Sequence, residues 1–367
     1  ILSMIPSVMI LSYFHGSPGK DKWNKVEKIG IPLNLIASFL IIGFIFFPKD
    51  LGAITTTVSY DHICTSACDN GCDKHGTIEK RVVPKAEFRK SLVLFNLTPL
   101  DLSSENEWLY YGINIGVTTD LYQDIYVNTS LQGHYEWALR KYDKTPLDIL
   151  PLTLQREVAK EYKKNFFING TIEEKDNQFN VSINIYDTGN LKKISTITIQ
   201  NKNIFTLIDQ ISIQIRQDIG IPESHIQESI DVPAAELLTS STIAMQYFSK
   251  ASMQNSFEGG HEKSIILLEK ALEEDNDFIF AQFDLLWLYP QANQGDKRVD
   301  LVLKVIDNIY RLPERLRFLP NVVYFFDTKQ PDKALKASLM QTQLFPDDET
   351  GYEVLSQLYS MKNEHVK

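Results

Sequence analysis

Two stretches in the carboxyl-terminal third of the chain, KSIILLEKALEEDND from Lys263 and KALKASLMQTQLFPDD from Lys333, align without gaps at an offset of 70 residues. Halfway between them, RVDLVLKVIDNIYRLPE from Arg298 is again amphipathic and again ends at a proline, Pro313. A period of about 35 residues supplies one helix–turn–helix pair, and one pair cannot cover its own apolar face. Neighbouring pairs must then stack and share a seam. Strand signals vanish from about Leu237 onward, so residues 237–367 are expected to be a helical array, with about three copies and a partial one from Ser241. Such a stack leaves an inner, concave surface, with Gln246, Tyr247, Gln282 and Trp287 as contact candidates that serve equally well as packing between helices.

Composition excludes some partners. A net charge of -10 and a pI near 5.3 speak against nucleic acid, whose binders present a basic face to phosphate. Hydrophobic content of 43% with 11% aromatics is enough for packed cores, and 367 residues allow two folded units plus extras.

The amino-terminal part reads differently. Residues 29–47, IGIPLNLIASFLIIGFIFF, contain no charge, with Pro32 in the first turn where its missing N–H does little harm. Nineteen residues span roughly 28 Å as a helix, the thickness of a bilayer's hydrocarbon, so a transmembrane helix is expected. Residues 1–14 are also uncharged but too short to cross alone; because the chain opens inside an apolar run and is read as a fragment, they are expected to be the end of a second, truncated transmembrane helix, with an interfacial segment as the alternative. Between them, residues 15–28 carry Lys20, Lys22, Lys25 and Lys28 against Asp21 and Glu27, which places this loop in the cytoplasm and the later domains outside it. The expected location is thus a bacterial inner membrane, with the carboxyl-terminal domains extracytoplasmic.

Residues 48–89 are polar and mixed, as in a linker. They hold all three cysteines, Cys64, Cys68 and Cys72, with His62 and His75 beside them. The spacing is not the paired C-x2-C of common zinc sites, and three readings stand open: no special role, a disulfide, or a bound metal.

Regular structure is expected from residue 90. Lys90 to Leu97 reads as a buried strand ended by Thr98-Pro99, and Glu105 to Asp124 as a helix capped by Ser103 or Ser104. A strand follows at Ile125 to Val127 and a helix at Pro151 to Lys163, while residues 131–150 have no clear assignment. Phe166 to Ile172, Gln178 to Tyr186 and Ile194 to Ile199 are expected strands, the last two alternating as half-buried antiparallel strands do. Ile204 to Ile219 is a helix with Asn203 and Gly220 as caps. This order predicts a small α/β sandwich with one mixed sheet. Gly112 and Gly116 within the helix point to close backbone packing.

The run SLVLFNLTPLDLSSENEWLYYGINIGVTTDL resembles the opening of the TolB amino-terminal-like (FlgO-like) domain, through Asn96, Glu107, Trp108, Gly112 and Leu121. FFINGTIEEKDNQFNVSINIYDTGNLKKIS resembles its later strands, through Gly170, Asn177, Val181 and Asp187-Thr188-Gly189, and IFTLIDQISIQI its closing helix. The likeness covers residues 90–221, but residues 131–150 do not follow it closely. The carboxyl-terminal copies resemble tetratricopeptide repeats: Ala271 and Asp275-Asn276-Asp277 stand where a repeat's second helix ends, with Pro346 the expected proline of the later copy. Phe280, Ala281 and Leu285, and later Tyr352, Leu355 and Tyr359, stand at the packing positions of first helices. Pro290 and Pro320 make the middle copy irregular.

These resemblances imply a non-enzyme: a membrane-anchored scaffold binding other proteins or peptides, without a cofactor. No phosphate loop, metal motif or catalytic triad is recognisable in the sequence. The rival expectation is the extracytoplasmic sensory half of a signalling protein, with a kinase, cyclase or winged-helix regulator upstream.

Overall fold

The computed structural model describes residues 5–14, 23–46, 55–61, 78–129, 134–145, 148–229, 231–258 and 260–361. Two units separate, residues 1–56 and 57–367. In the first, α1 (Ile5–Phe14) packs against α2 (Lys25–Phe46). Here the expected transmembrane helix is corrected: among the described residues, no helix is long and apolar enough to cross a membrane. The run 29–47 does not form a helix of its own. It is continued backwards through Lys25, Glu27 and Lys28, with Pro32 inside α2. Asn34 donates to Ser7 Oγ at 2.7 Å, and Ser7 and Ser38 are buried, so one face of the described stretch is polar. The side chains of 41–47 lie outside the described residues. The inner-membrane location, the cytoplasmic loop at 15–28 and the extracytoplasmic placement of the later domains all rested on that span and are withdrawn with it.

Within the stretch 48–89, β1 (Thr55–Asp61) and β2 (Ile78–Pro84) pair as a two-stranded sheet, and Val83 is buried beside Leu344 and Phe345. The cysteine cluster and its two histidines lie outside the described residues.

A mixed sheet follows, in the order β5-β3-β6-β7-β8. Its strands are β3 (Lys90–Leu94), β5 (Val127–Thr129), β6 (Phe166–Lys175), β7 (Gln178–Asp187) and β8 (Lys193–Asn201), with the short β4 (Thr98–Asp101) alongside β6. β3 runs parallel to β5 and β6, while β6, β7 and β8 are antiparallel. Asp176 and Asn177, both at positive φ, make the two-residue turn that twists β6 into β7. Thr98-Pro99 does not end the structure as expected: the chain resumes as β4 and pairs with Thr171 and Ile172. β5 begins two residues later than expected, because Asp124 folds the preceding residues into a turn by accepting from Tyr126 N at 2.8 Å.

The sheet is covered on both faces. Val93, Phe95 and Phe167 pack with α4 (His134–Arg140) and α5 (Leu152–Glu161), and α4 fills part of the stretch the sequence left unassigned. Leu92, Leu94, Ile168 and Ile183 face α3 (Leu109–Leu121) and α6 (Ile204–Asp218). Asn203 caps α6 by accepting from Phe205 N and Thr206 N, and Gly220 ends it at φ +83. No side-chain cap holds α3, whose predicted cap Ser103 instead donates to Glu174.

After α7 (Glu223–Glu228) and α8 (Ala234–Leu237), the described chain is helical to its end: α9 (Thr242–Glu258), α10 (His261–Glu274), α11 (Ile279–Gln291), α12 (Gly295–Asp307), α13 (Phe318–Asp327), α14 (Pro331–Leu344) and α15 (Glu349–Met361). Each packs on the next. α14 and α15 begin 70 residues after α10 and α11, the sequence offset made structural. Pro320 sits in the first turn of α13, where its missing N–H does little harm, whereas Pro290 lies inside α11, one residue before its end.

α3 joins sheet and array. All 13 of its residues are buried. A Cβ on Gly116 would lie 2.3 Å from Ile208 of α6, and one on Gly112 would lie 2.5 Å from the Trp108 indole and 2.9 Å from Ser249 of α9. The indole cannot bend away, so Gly112→Ala is expected to lower stability by about 1–3 kcal/mol through overpacking. Urea unfolding would measure this; an unchanged midpoint would show that neither Trp108 nor Ser249 presses on this position.

Candidate functional site

The helices that face α3 alternate along the array. α9, α11, α15 and the turn entering α13 surround a cavity of about 440 Å³, closed on its other side by Ile115, Thr118 and Thr119 of α3. Phe248, Phe280, Phe283 and Trp287 form its aromatic wall, Leu316, Leu319 and Val354 its aliphatic one, and the exposed Gln291, Glu353 and Gln357 its rim. Volume and lining are those of a site for a small apolar body with a few fixed polar contacts.

One charged side chain stands within this wall, in a lining that also holds the hydroxyls of Ser252 and Thr350. Asp284 is the single charged residue of α11, IFAQFDLLWLYPQ. Phe280 and Trp287, four residues before and three after, share its face of the helix. The Asp284 side chain is half-buried and makes no hydrogen bond or ion pair among the described residues, and desolvation pushes its carboxyl up to about 7.

The array is tied to the sheet at its far end as well. Arg315, buried in the turn Glu314–Leu316, donates to Asp124 O at 2.9 Å and Val127 O at 2.5 Å. Its guanidinium lies over the rings of Tyr122 and Phe345, 5.2 and 5.5 Å from their centres. Tyr122 donates to Asp348 at 2.5 Å, Asn128 donates to Asp347, and Arg89 pairs with Asp347. A second, polar hollow of about 470 Å³ lies here, lined by Arg89, Asn128, Lys164 and Glu349 among others. Arg89 and Lys164 there already face Asp347 and Glu349 of the same chain, which marks it as a join between layers.

On the opposite side of α3, Asp120 and Asp124 are buried beside Arg216 and Asp231. Burial pushes the Asp120 carboxyl up to about 7, with Ser212 opposing and Asp231 adding to the rise. Asp209 is half-buried and accepts from Ala234 N at 2.7 Å, starting α8. Among the described residues no group of three or more His, Cys, Asp or Glu could hold a metal.

Of the four contact candidates, the structure brings only Trp287 to the cavity. Gln246 donates to Glu105 O at 3.1 Å, Gln282 is buried and donates to Asn276 O, and Tyr247 lies under Lys270. Asp284 was missed, although a lone charge with seven apolar residues among its eight nearest neighbours in the chain was visible in the sequence.

No family model matches the sequence, and no curated protein does. Three solved structures resemble part of the chain. The LpoB carboxyl-terminal domain from Salmonella enterica shares 9% identity, covering 30% of this chain and 81% of that one, at a TM-score of 0.26. TolB from Acinetobacter baumannii shares 12%, covering 36% of this chain and 28% of that one, at 0.24. A lipoprotein from Neisseria meningitidis shares 10%, covering 35% of this chain and 99% of that one, at 0.27. No residue role is transferred from them.

The Asp120 cluster has a pH signature. Its folded-state value lies above that of the unfolded chain, so the folded form binds the extra proton, and stability falls as pH rises from about 4 to about 7. Asp120→Asn keeps the oxygen that accepts from Gln123 at 3.0 Å and removes the charge. It is expected to be more stable than the parent by about 2 kcal/mol at pH 8, with the gap closing towards pH 5. Urea denaturation at both pH values checks this; a gap that widens in acid would overturn it.

Proposed function

We propose that this chain is a non-catalytic protein-binding module, in which a TolB amino-terminal-like α/β layer carries a short tetratricopeptide-type array. A segment of a partner protein seats in the cavity between α3 and the inner helices. The observation that carries this reading is the cavity itself: an aromatic-lined hollow with a polar rim, walled by alternate helices of a stack. Recurrence of helix pairs at 70 residues supports the repeat assignment. Aromatic side chains in a concave, mostly apolar site are the usual anchors of recognition.

α3 already occupies part of the inner face, which leaves room for a short segment and not for a long one. The test is capture of partners from an extract of the source cells, with the intact chain as bait and Gln291→Arg/Gln357→Arg as control. Both glutamines are exposed at the rim and tolerate substitution without unfolding. The double variant is expected to lose the captured protein by at least tenfold. Capture at the same level by both baits would sink the reading.

A further inference from the structure

The reading of the cavity as a seat for a partner segment can be taken one step further, and the inference below rests on it. We propose that the cavity takes one lysine or arginine side chain of that segment, its alkyl stem against Phe280, Phe283 and Trp287 and its charged head on Asp284. Among the described residues the lining holds two carboxylates, Asp284 in the wall and Glu353 at the rim, and no lysine, arginine or histidine. Asp284 is half-buried, lines the cavity and has no hydrogen bond or ion pair among the described residues, so an entering cation would supply a partner that its partly desolvated charge lacks. The rings around it add an attraction of their own, since a cation over an aromatic face is drawn to its electron-rich centre.

The same helix shows this arrangement completed within the chain. Lys297 lies 5.2 Å from the centre of the Tyr289 ring and pairs with Glu269 at 2.7 Å. Tyr289 belongs to α11, as do Asp284 and Trp287. One position therefore presents aromatic ring, carboxylate and lysine together, whereas the cavity presents ring and carboxylate with the cation outstanding. The chain's net charge of -10 favours the approach of a basic partner. Glutamines at the rim can hold the backbone of a segment whose one side chain enters.

The experiment uses the full chain and two fluorescein-labelled peptides, Gly-Ser-Ala-Leu-Lys-Leu-Ala-Ser-Gly and its copy with norleucine in place of lysine. Fluorescence anisotropy is expected to show the lysine peptide bound at least tenfold more tightly. Asp284→Asn, whose fold is checked by circular dichroism, is expected to erase that preference. Equal affinity for both peptides, an undiminished preference in Asp284→Asn, or no binding of either peptide up to millimolar concentration would overturn the proposal. Displacement of the peptide by butylammonium at equal concentration would assign the site to a free amine and overturn it too. If Asp284→Asn still captures the partner that the rim variant loses, the basic anchor fails while the binding role stands. If the rim variant loses nothing, the binding role fails.

Discussion

A helix with no exposed residue has to be covered from every side, and α3 is such a helix. An amphipathic helix needs one partner surface; one that is apolar all round belongs in the middle of a larger core. Here the sheet and α6 cover part of it and the helical array covers the rest, so two layers that could each be a separate fold share one hydrophobic interior. Gly112 and Gly116 let α9 and α6 approach on different sides. One polar group of α3 is answered locally. Asn114 donates to Leu94 O and Asn96, and accepts from Thr118, which fixes the rotation of the helix over the sheet.

The second join, at Arg315, works by different physics. Apolar packing is tolerant of small shifts, whereas a guanidinium held by two carbonyls and laid over two rings has one arrangement. Burying Arg89, Arg315 and the acids around them does little for stability by itself. Its effect is to set the register between the last helices and the sheet edge. The cavity lies between the greasy contact at α9 and this polar one, held open because both ends of the array are positioned by something other than its lining.

What could be read beforehand follows how local each signal is. The strands at 178–199 were legible because one face is solvated and the other buried, so their side chains alternate. The helix pairs were legible because their seam repeats. β4, four residues including a proline, carries no periodicity, and α4 is too short to show one. The apolar run at 29–47 was judged on its lack of charge, while Asn34 and Ser38, one helical turn apart, already marked a polar face. The cavity had no local signature at all. It exists because residues 115–119 meet residues 248–357, a coincidence of tertiary structure that no window along the chain contains.

The tie from Asp347 and Asp348 back to Arg89, Asn128 and Tyr122 also constrains how such a chain can change. A stack of helix pairs fastened at one end can lengthen by duplication, each new pair adding a like interface. This one is anchored at both ends to the same sheet-and-helix layer. An inserted or deleted pair would carry the terminal carboxylates away from their cations and strand both sets in the interior. The number of turns in the arc is therefore held constant, and variation is left to the side chains that look inward.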